Sequence, residues 1–405
     1  MQIIKRSDKL EKVHSDIRGP LFVEANKMSA EGIKVMKLNT GNPATFGFKM
    51  PDSVKNALIA DPDRATAYCD LRGMPDARQA IMEYHTAKGI KGIEPDDIYI
   101  GNGVSELVSM AMTAFLNYGD EILVPAPDYS LWTNSIHIAG AVPVYYECDE
   151  ENHWMPDLDI IKKRITSKTR AIVIINPNNP TGVLYPKEMV QALVDLAREY
   201  NLVVFSDEIY DRLVMDGKEH VSPAALAPDL LTITFNGLSK SHIVCGFRCG
   251  WMVISGPKEN ASDFMAGINQ LAAMRLCANA LMQLVIPAAL KDDASTKALL
   301  APGGRIYEQR EACMRELTKI EGVTCEKNDA AFYIFPKLDV KKFNITNDEK
   351  FALDYLHSKH VLVIPGRGFS WNKNDHFRIV MLPEPDQLAQ AMRDLGDFLK
   401  DYKQK

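Results

Sequence analysis

Long apolar stretches are missing from this chain of 405 residues. Runs such as 171–175 and 202–205 fall far short of the roughly 18 residues that suggest a membrane span, so they read as buried strands and no membrane role is expected. A basic excess is missing too. Lys plus Arg is 47 against 53 Asp plus Glu, a formal charge of −6, which leaves nothing over to neutralise phosphates and argues against general nucleic-acid binding. Cysteines are few: seven, an odd number at 69, 148, 245, 249, 277, 313 and 325, without the paired spacings of a zinc site. Cys245 and Cys249 form a lone C-x-x-x-C that reads as ordinary thiols. The nine histidines are scattered and no H-E-x-x-H occurs, so no protein metal site is expected. Residues 1–12 mix Lys, Asp and Glu without an apolar core, so neither a secretory leader nor a transit peptide is expected and the chain should work in the cytoplasm.

What is present is ordinary for a globular protein: 46 % hydrophobic and 25 % charged residues. The length suits about two or three domains, or one long α/β unit with a satellite. From Asp97 to about Ile254, short β-rich runs alternate with helical patterns. The spacing predicts strands at 98–100, 121–124, 142–146, 170–175, 202–205, 231–235 and 250–254. Several are apolar on successive residues, as burial on both faces of a largely parallel sheet requires. Helices are predicted at 105–117 and 187–200. Beyond Gly256 the pattern turns helical (263–271, 276–290, 305–320, 348–359, 386–402), with short strands at 331–335, 362–364 and 377–381. That describes an α+β satellite. The segment up to about Pro43 has too few apolar residues to fold alone and should pack on it.

The chemistry sits where strands end, which is where open α/β sheets collect ligands. Gly101-Asn-Gly-Val-Ser-Glu106 follows a strand and opens a helix, so glycines and a hydroxyl meet free backbone N–H groups. That suits a phosphate, although a plain Gly-rich turn with Ser105 near the cap reads the same. Asn176-Pro-Asn-Asn-Pro-Thr-Gly182 aims a neutral amide, Asn179, from a backbone stiffened by two prolines. Asp207 ends an apolar strand, as a helix cap or as a carboxylate in need of a partner. Lys240, in Asn236-Gly-Leu-Ser-Lys240, follows the buried strand 231–235, where a desolvated amine can become a nucleophile. Most lysines after strands are simply solvated. The order Gly-Ser, Asn, Asp, Lys, Arg along one sheet is what matters, because together these meet the needs of pyridoxal 5′-phosphate: a lysine for its aldehyde, a carboxylate for its ring nitrogen, a donor for its ring oxygen and anchors for its phosphate.

At these residues the sequence resembles the fold type I, class I/II aminotransferases. The motifs are N-P-T-G at 179–182, D-E-I-Y at 207–210, G-L-S-K at 237–240 and G-F-R at 246–248. The resemblance implies an α/β fold with a large, mostly parallel mixed sheet and a small α+β domain. Residues 1–45 and 296–405 would form the small domain and 46–295 the large one, in a homodimer that shares its active site across the interface. It implies that Lys240 bonds to the cofactor aldehyde, that Asp207 faces the ring nitrogen, and that Asn179 and Tyr210 contact the ring oxygen. Gly103, Val104, Ser105, Ser239 and Arg248 would surround the phosphate, with Tyr68 reaching it from the partner subunit. Tyr129 would stack on the ring, Arg378 would clamp the substrate α-carboxylate, and Gly41 would offer a backbone contact. Small-molecule amino acids and 2-oxo acids would be the substrates.

Gly237 departs from the family pattern, because many relatives carry a phosphate-touching serine there, so one anchor is expected to be missing. Ile243 and Cys249 are also unusual beside the lysine and arginine. Within the family, 16–20, 42–48, 125–132 and 274–279 resemble bacterial alanine (glutamate–pyruvate) aminotransferases. These would exchange an amino group between L-alanine and 2-oxoglutarate. One pocket must then accept both a methyl group and a carboxylate-bearing chain, and Arg18 is the candidate movable cation; a solvated or interdomain arginine is the alternative. Competing readings are an aspartate or aromatic aminotransferase, a carbon–sulfur β-lyase, a non-catalytic ligand sensor, or a nucleotide-binding protein built on 101–105.

Overall fold

The computed structural model describes residues 3–405. Its centre is an eight-stranded sheet of β1 (Ile98–Asn102), β2 (Glu121–Ala126), β3 (Val142–Asp149), β4 (Met155–Pro156), β5 (Thr169–Ile175), β6 (Val203–Asp207), β7 (Thr232–Gly237) and β8 (Cys249–Ser255). The order across the sheet is β1-β8-β7-β6-β5-β2-β3-β4. The central neighbours β7, β6, β5, β2 and β3 run parallel, while β1, β8 and β4 pair antiparallel.

The successive apolar residues have the expected cause. Ala171, Val173 and Ile175 pack on one side of the sheet, with α3 (Val104–Phe115) and α4 (Leu131–Ile138). Ile172 and Ile174 pack on the other, against α5 (Lys187–Glu199), whose Val190, Leu193, Val194 and Ala197 recur at helical spacing.

Both chain ends share a separate core. Leu21, Ala25 and Met28 of α1 (Pro20–Ala30) meet Met314 and Leu317 of α7 (Arg305–Leu317), Phe351 and Tyr355 of α8 (Asp348–Lys359), and Leu388, Met392 and Leu395 of α9 (Pro385–Leu399). Met36–Lys37 pairs in parallel with Val361–Leu362, which ties the N-terminal segment to the last hundred residues. Strand β9 (Phe377–Val380) lies between Tyr333–Ile334 and Ile364–Pro365.

The single helix expected over 276–290 is two short ones, Ala280–Gln283 and Ile286–Lys291. The Asn279 side chain caps the first by accepting from the Leu281 N–H (3.1 Å), and Pro287 supplies no N–H to join the two. No helix among the described residues is long and apolar enough to cross a membrane.

Candidate active site

Register brings the strand ends level. Ile175 lies opposite Asp207, and Asp207 opposite Phe235, so the 176–182 segment, Asp207 and Lys240 emerge at one edge of the sheet. There they line a cavity of about 1130 Å³ together with Gly41, Val104, Ser105, Tyr129, Tyr210, Ser239, Arg248 and Arg378. Arg18 lines its mouth, exposed, from the N-terminal segment.

Asp207 is 3 % exposed. Trp132 Nε1 donates to its Oδ2 at 3.0 Å and the Ile209 N–H to Oδ1 at 3.3 Å. Burial pushes its carboxyl up to about 6, against the pull of those donors. Lys240 sits on the single-turn helix α6 (Leu238–Ser241) directly after β7, half-buried, and its Nζ donates to the Gly41 carbonyl at 3.0 Å. A Cβ at Gly41 would come 2.2 Å from the Tyr333 hydroxyl, so the close approach of this N-terminal backbone needs glycine.

Arg378 comes from β9 and is 1 % exposed. Its guanidinium is stacked between the rings of Tyr333 and Phe369, each 4.6 Å away, and donates to Asn179 Oδ1 (2.9 Å) and to the Asn39 carbonyl. Nε has no partner, and among the described residues no carboxylate lies within ion-pair distance. Burial accordingly lowers its proton affinity. A buried cation in that state is costly on its own and is matched to an anionic ligand. Because Arg378 only donates, Asn179 must present Oδ1 to it and keep Nδ2 as donor. The Tyr210 hydroxyl donates to that of Tyr333 at 2.9 Å.

The opposite end of the cavity is an anion cradle. Gly103 caps α3 at φ +84°, and the N–H groups of Val104 and Ser105 find no acceptor among the described residues. Arg248 stands immediately before β8, and a Cβ on Gly103 would come 2.3 Å from its Nη2. Gly101 pairs with Gly250, and Gly250 with Gly237, so three backbones close in beneath this helix end. A Cβ at Gly237 would lie 2.6 Å from the Cys249 carbonyl and 2.9 Å from the Gly250 Cα. The glycine there answers a packing demand of the cradle. Ile243 holds φ +63° in the cavity wall, a conformation that a β-branched residue adopts only where its surroundings impose it.

The structure thus gathers Lys240, Asp207, Tyr210, Asn179, Tyr129, Ser239, Gly41, Arg378 and the cradle residues around one space. Tyr68 is not among them: it is 80 % exposed, outside the cavity of its own chain. Sequence reasoning missed Trp132 as the donor to Asp207 and Tyr333 as partner of both Tyr210 and Arg378. Tyr333 lies within a stretch read as a strand, but nothing local marks a strand tyrosine as facing a ligand.

The profile of the family described as aminotransferase class I and II matches residues 33–395. The glutamate-pyruvate aminotransferase AlaA of Haemophilus influenzae is 52 % identical over 404 residues, covering all of both chains. The alanine aminotransferase of Mycobacterium tuberculosis is 46 % identical over 400 residues, 98 % of this chain and 93 % of that one. The crystal structure of an aminotransferase from Escherichia coli superposes with a TM-score of 0.98 at 50 % identity over the full length of both.

Proposed function

The chain belongs to the class I and II aminotransferases, and from that membership we propose how its cavity works. It exchanges an amino group between L-alanine and 2-oxoglutarate, giving pyruvate and L-glutamate. What supports this reading most is Arg378, a buried guanidinium without an anion of its own, facing the same space as Lys240. The residues present also fit pyridoxal 5′-phosphate: a cradle of unpaired N–H groups and an arginine for its phosphate, a buried carboxylate for its ring nitrogen, and amide and hydroxyl donors for its ring oxygen. When bound, the cofactor supplies an electron sink for the charge that develops as the substrate Cα loses its proton.

The chain's own part follows from its geometry. Val104, Ser105, Ser239 and Arg248 hold the phosphate. Asp207, fixed by Trp132, would keep the ring nitrogen protonated. Asn179 offers Nδ2, and Tyr210 offers its hydroxyl once Tyr333 reverses the bond between them. Tyr129 covers a ring face. Arg378 pairs with the α-carboxylate through the N–H groups that Asn179 and Asn39 leave free, that of Nε among them. Lys240 would hold the cofactor at rest, and its amine, when free, would take the proton from the substrate Cα as base. Gly41 holds the amine of Lys240 through its carbonyl. Arg18 at the mouth meets the side-chain carboxylate of glutamate and swings aside for alanine.

Residues 46–295 form the large domain, with 1–45 and 296–405 as the small one. The enzyme works in the cytoplasm as a homodimer in which Tyr68 of the partner subunit completes the phosphate site. The test is an absorbance spectrum of the purified protein. It should be coloured, and L-alanine or L-glutamate should each bleach that colour, while Lys240→Ala should abolish turnover. A protein that stays colourless with excess pyridoxal phosphate overturns the reading.

A further inference from the structure

Behind the active-site turn lies a second, buried cluster that the reaction does not touch. Consecutive residues at the end of a strand face opposite ways. Asp207 looks into the cavity, and Glu208 is fully buried behind it. Glu208 accepts from Ser206 (3.0 Å), Ser222 (2.5 Å) and, at 3.3 Å, the ammonium of Lys88. That ammonium also donates to Asp211 at 2.6 Å and lies 3.1 Å from His220 Nδ1. Tyr84, from α2 (Pro75–Ala87), donates to the same Asp211 oxygen at 2.5 Å. The ligand atoms of Glu208, Asp211 and His220 lie within 4.8 Å of one another, a spacing that would suit a metal ion. Lys88, immediately after α2, already supplies the cation.

We propose that Lys88 is a positioning residue for the transamination, its ammonium shared between Glu208 and Asp211 and offsetting their charge so that the 207–211 turn keeps Asp207 ionised and Tyr210 in place. The charge balance carries this. His85 and His220 are pushed down to about 4, chiefly by burial and further by Lys88, so both are neutral near pH 7. Arg212 caps the Tyr84 ring at 4.6 Å and is paired outward with Asp293. Among the described residues, Lys88 therefore stands alone as the cation in contact with both carboxylates. Asp207 faces Trp132 and Lys240 on the cavity side, which favour its charge, and Glu208 behind, which opposes it. With the Glu208 charge left bare, the Asp207 carboxyl, already near 6, would rise into the working range.

The inference rests on the proposed role of Asp207, but its test does not need the cofactor. The indole N–H of Trp132 bonds directly to Asp207, so its NMR signal, assigned by loss in Trp132→Phe, reports that carboxyl in cofactor-free protein. The midpoint is expected near pH 6 in the parent, at least about one unit higher in Lys88→Met, and back near the parent value in Lys88→Met/Glu208→Gln and in Lys88→Arg. In the holoenzyme the acid limb of kcat/KM should shift with it. Should Lys88→Met fail to fold, Glu208→Gln alone leaves the ammonium balanced by Asp211 and removes the charge that opposes Asp207, so it should lower the midpoint. A midpoint that stays put in the folded variants, or no recovery in the double variant, overturns the proposal. Loss of colour and turnover with the indole shifts intact would instead overturn the cofactor reading alone.

Discussion

Arg378 Nη1 donates to Asn179 Oδ1 at 2.9 Å, joining β9 to the loop after β5 across 199 residues. One hydrogen bond thus orients the amide that would touch the cofactor and the guanidinium that would hold the substrate. The two recognition events share a residue, which is how a single site can admit several amino acids by the part they have in common.

Arg378→Met should lower kcat/KM for alanine and glutamate alike by about 100-fold or more, since it leaves a substrate carboxylate without its partner. Its effect on stability should have the opposite sign. Because no carboxylate is orphaned by the change, the cofactor-free variant should unfold at or above the parent temperature, as measured by calorimetry.

Asn179→Asp separates the two roles of that amide. The new carboxylate would pair with Arg378 and complete an internal ion pair, so the melting temperature should rise by a few degrees while the KM for amino acids climbs steeply. Asn179→Ala lacks the charge and should weaken substrate binding less than the aspartate does. Steady-state kinetics beside thermal melts distinguish them.

Asp207 carries a pH signature. Its carboxyl lies near 6 in the fold against an ordinary value of 3.8. The raised value means that its contribution to stability is fully present below about pH 4 and is lost as the pH rises through 6, a difference on the order of 3 kcal/mol. In cofactor-free protein, Asp207→Asn should therefore be more stable than the parent at pH 7.5, and the gap should close by pH 4. Turnover should be nearly abolished. Denaturant melts at a series of pH values measure the gap.

Gly237→Ser tests whether the missing serine is a missing anchor. The Cβ would meet the Cys249 carbonyl and the Gly250 Cα, both backbone atoms of a paired strand. The serine should destabilise the protein by about 1–3 kcal/mol and loosen the cofactor, measured as its dissociation constant, instead of tightening it.

Much of this site was legible because it is local. Strands buried on both faces announce themselves as unbroken apolar runs, and polar residues within a few positions of the end of such a run, as Asp207 and Lys240 are, stand at the ligand-binding edge. What could not be read are contacts between distant residues with no local mark. Trp132 and Asp207 are 75 residues apart, Tyr210 and Tyr333 are 123, and Lys88 and Asp211 are 123. Each belongs to an element whose periodicity is satisfied whether or not the contact forms. Gly237 was legible as an oddity, but its cause lies in the neighbouring strand β8.

Tyr68 offers the sharpest test of the dimer. It is 80 % exposed and lies outside its own cavity, so a tyrosine that serves the phosphate must serve another subunit's. Tyr68→Ala and Lys240→Ala should each be nearly inactive alone. In a hybrid dimer, the site on the Tyr68→Ala chain keeps its own Lys240 and receives the intact Tyr68 of the partner subunit, while the other site loses both. Unfolding and refolding an equal mixture gives half hybrids, each with one good site, so about a quarter of the parent activity should return. If the tyrosine acted within its own chain, the Tyr68→Ala chain would lack it in every pairing and the mixture would stay as inactive as its parts.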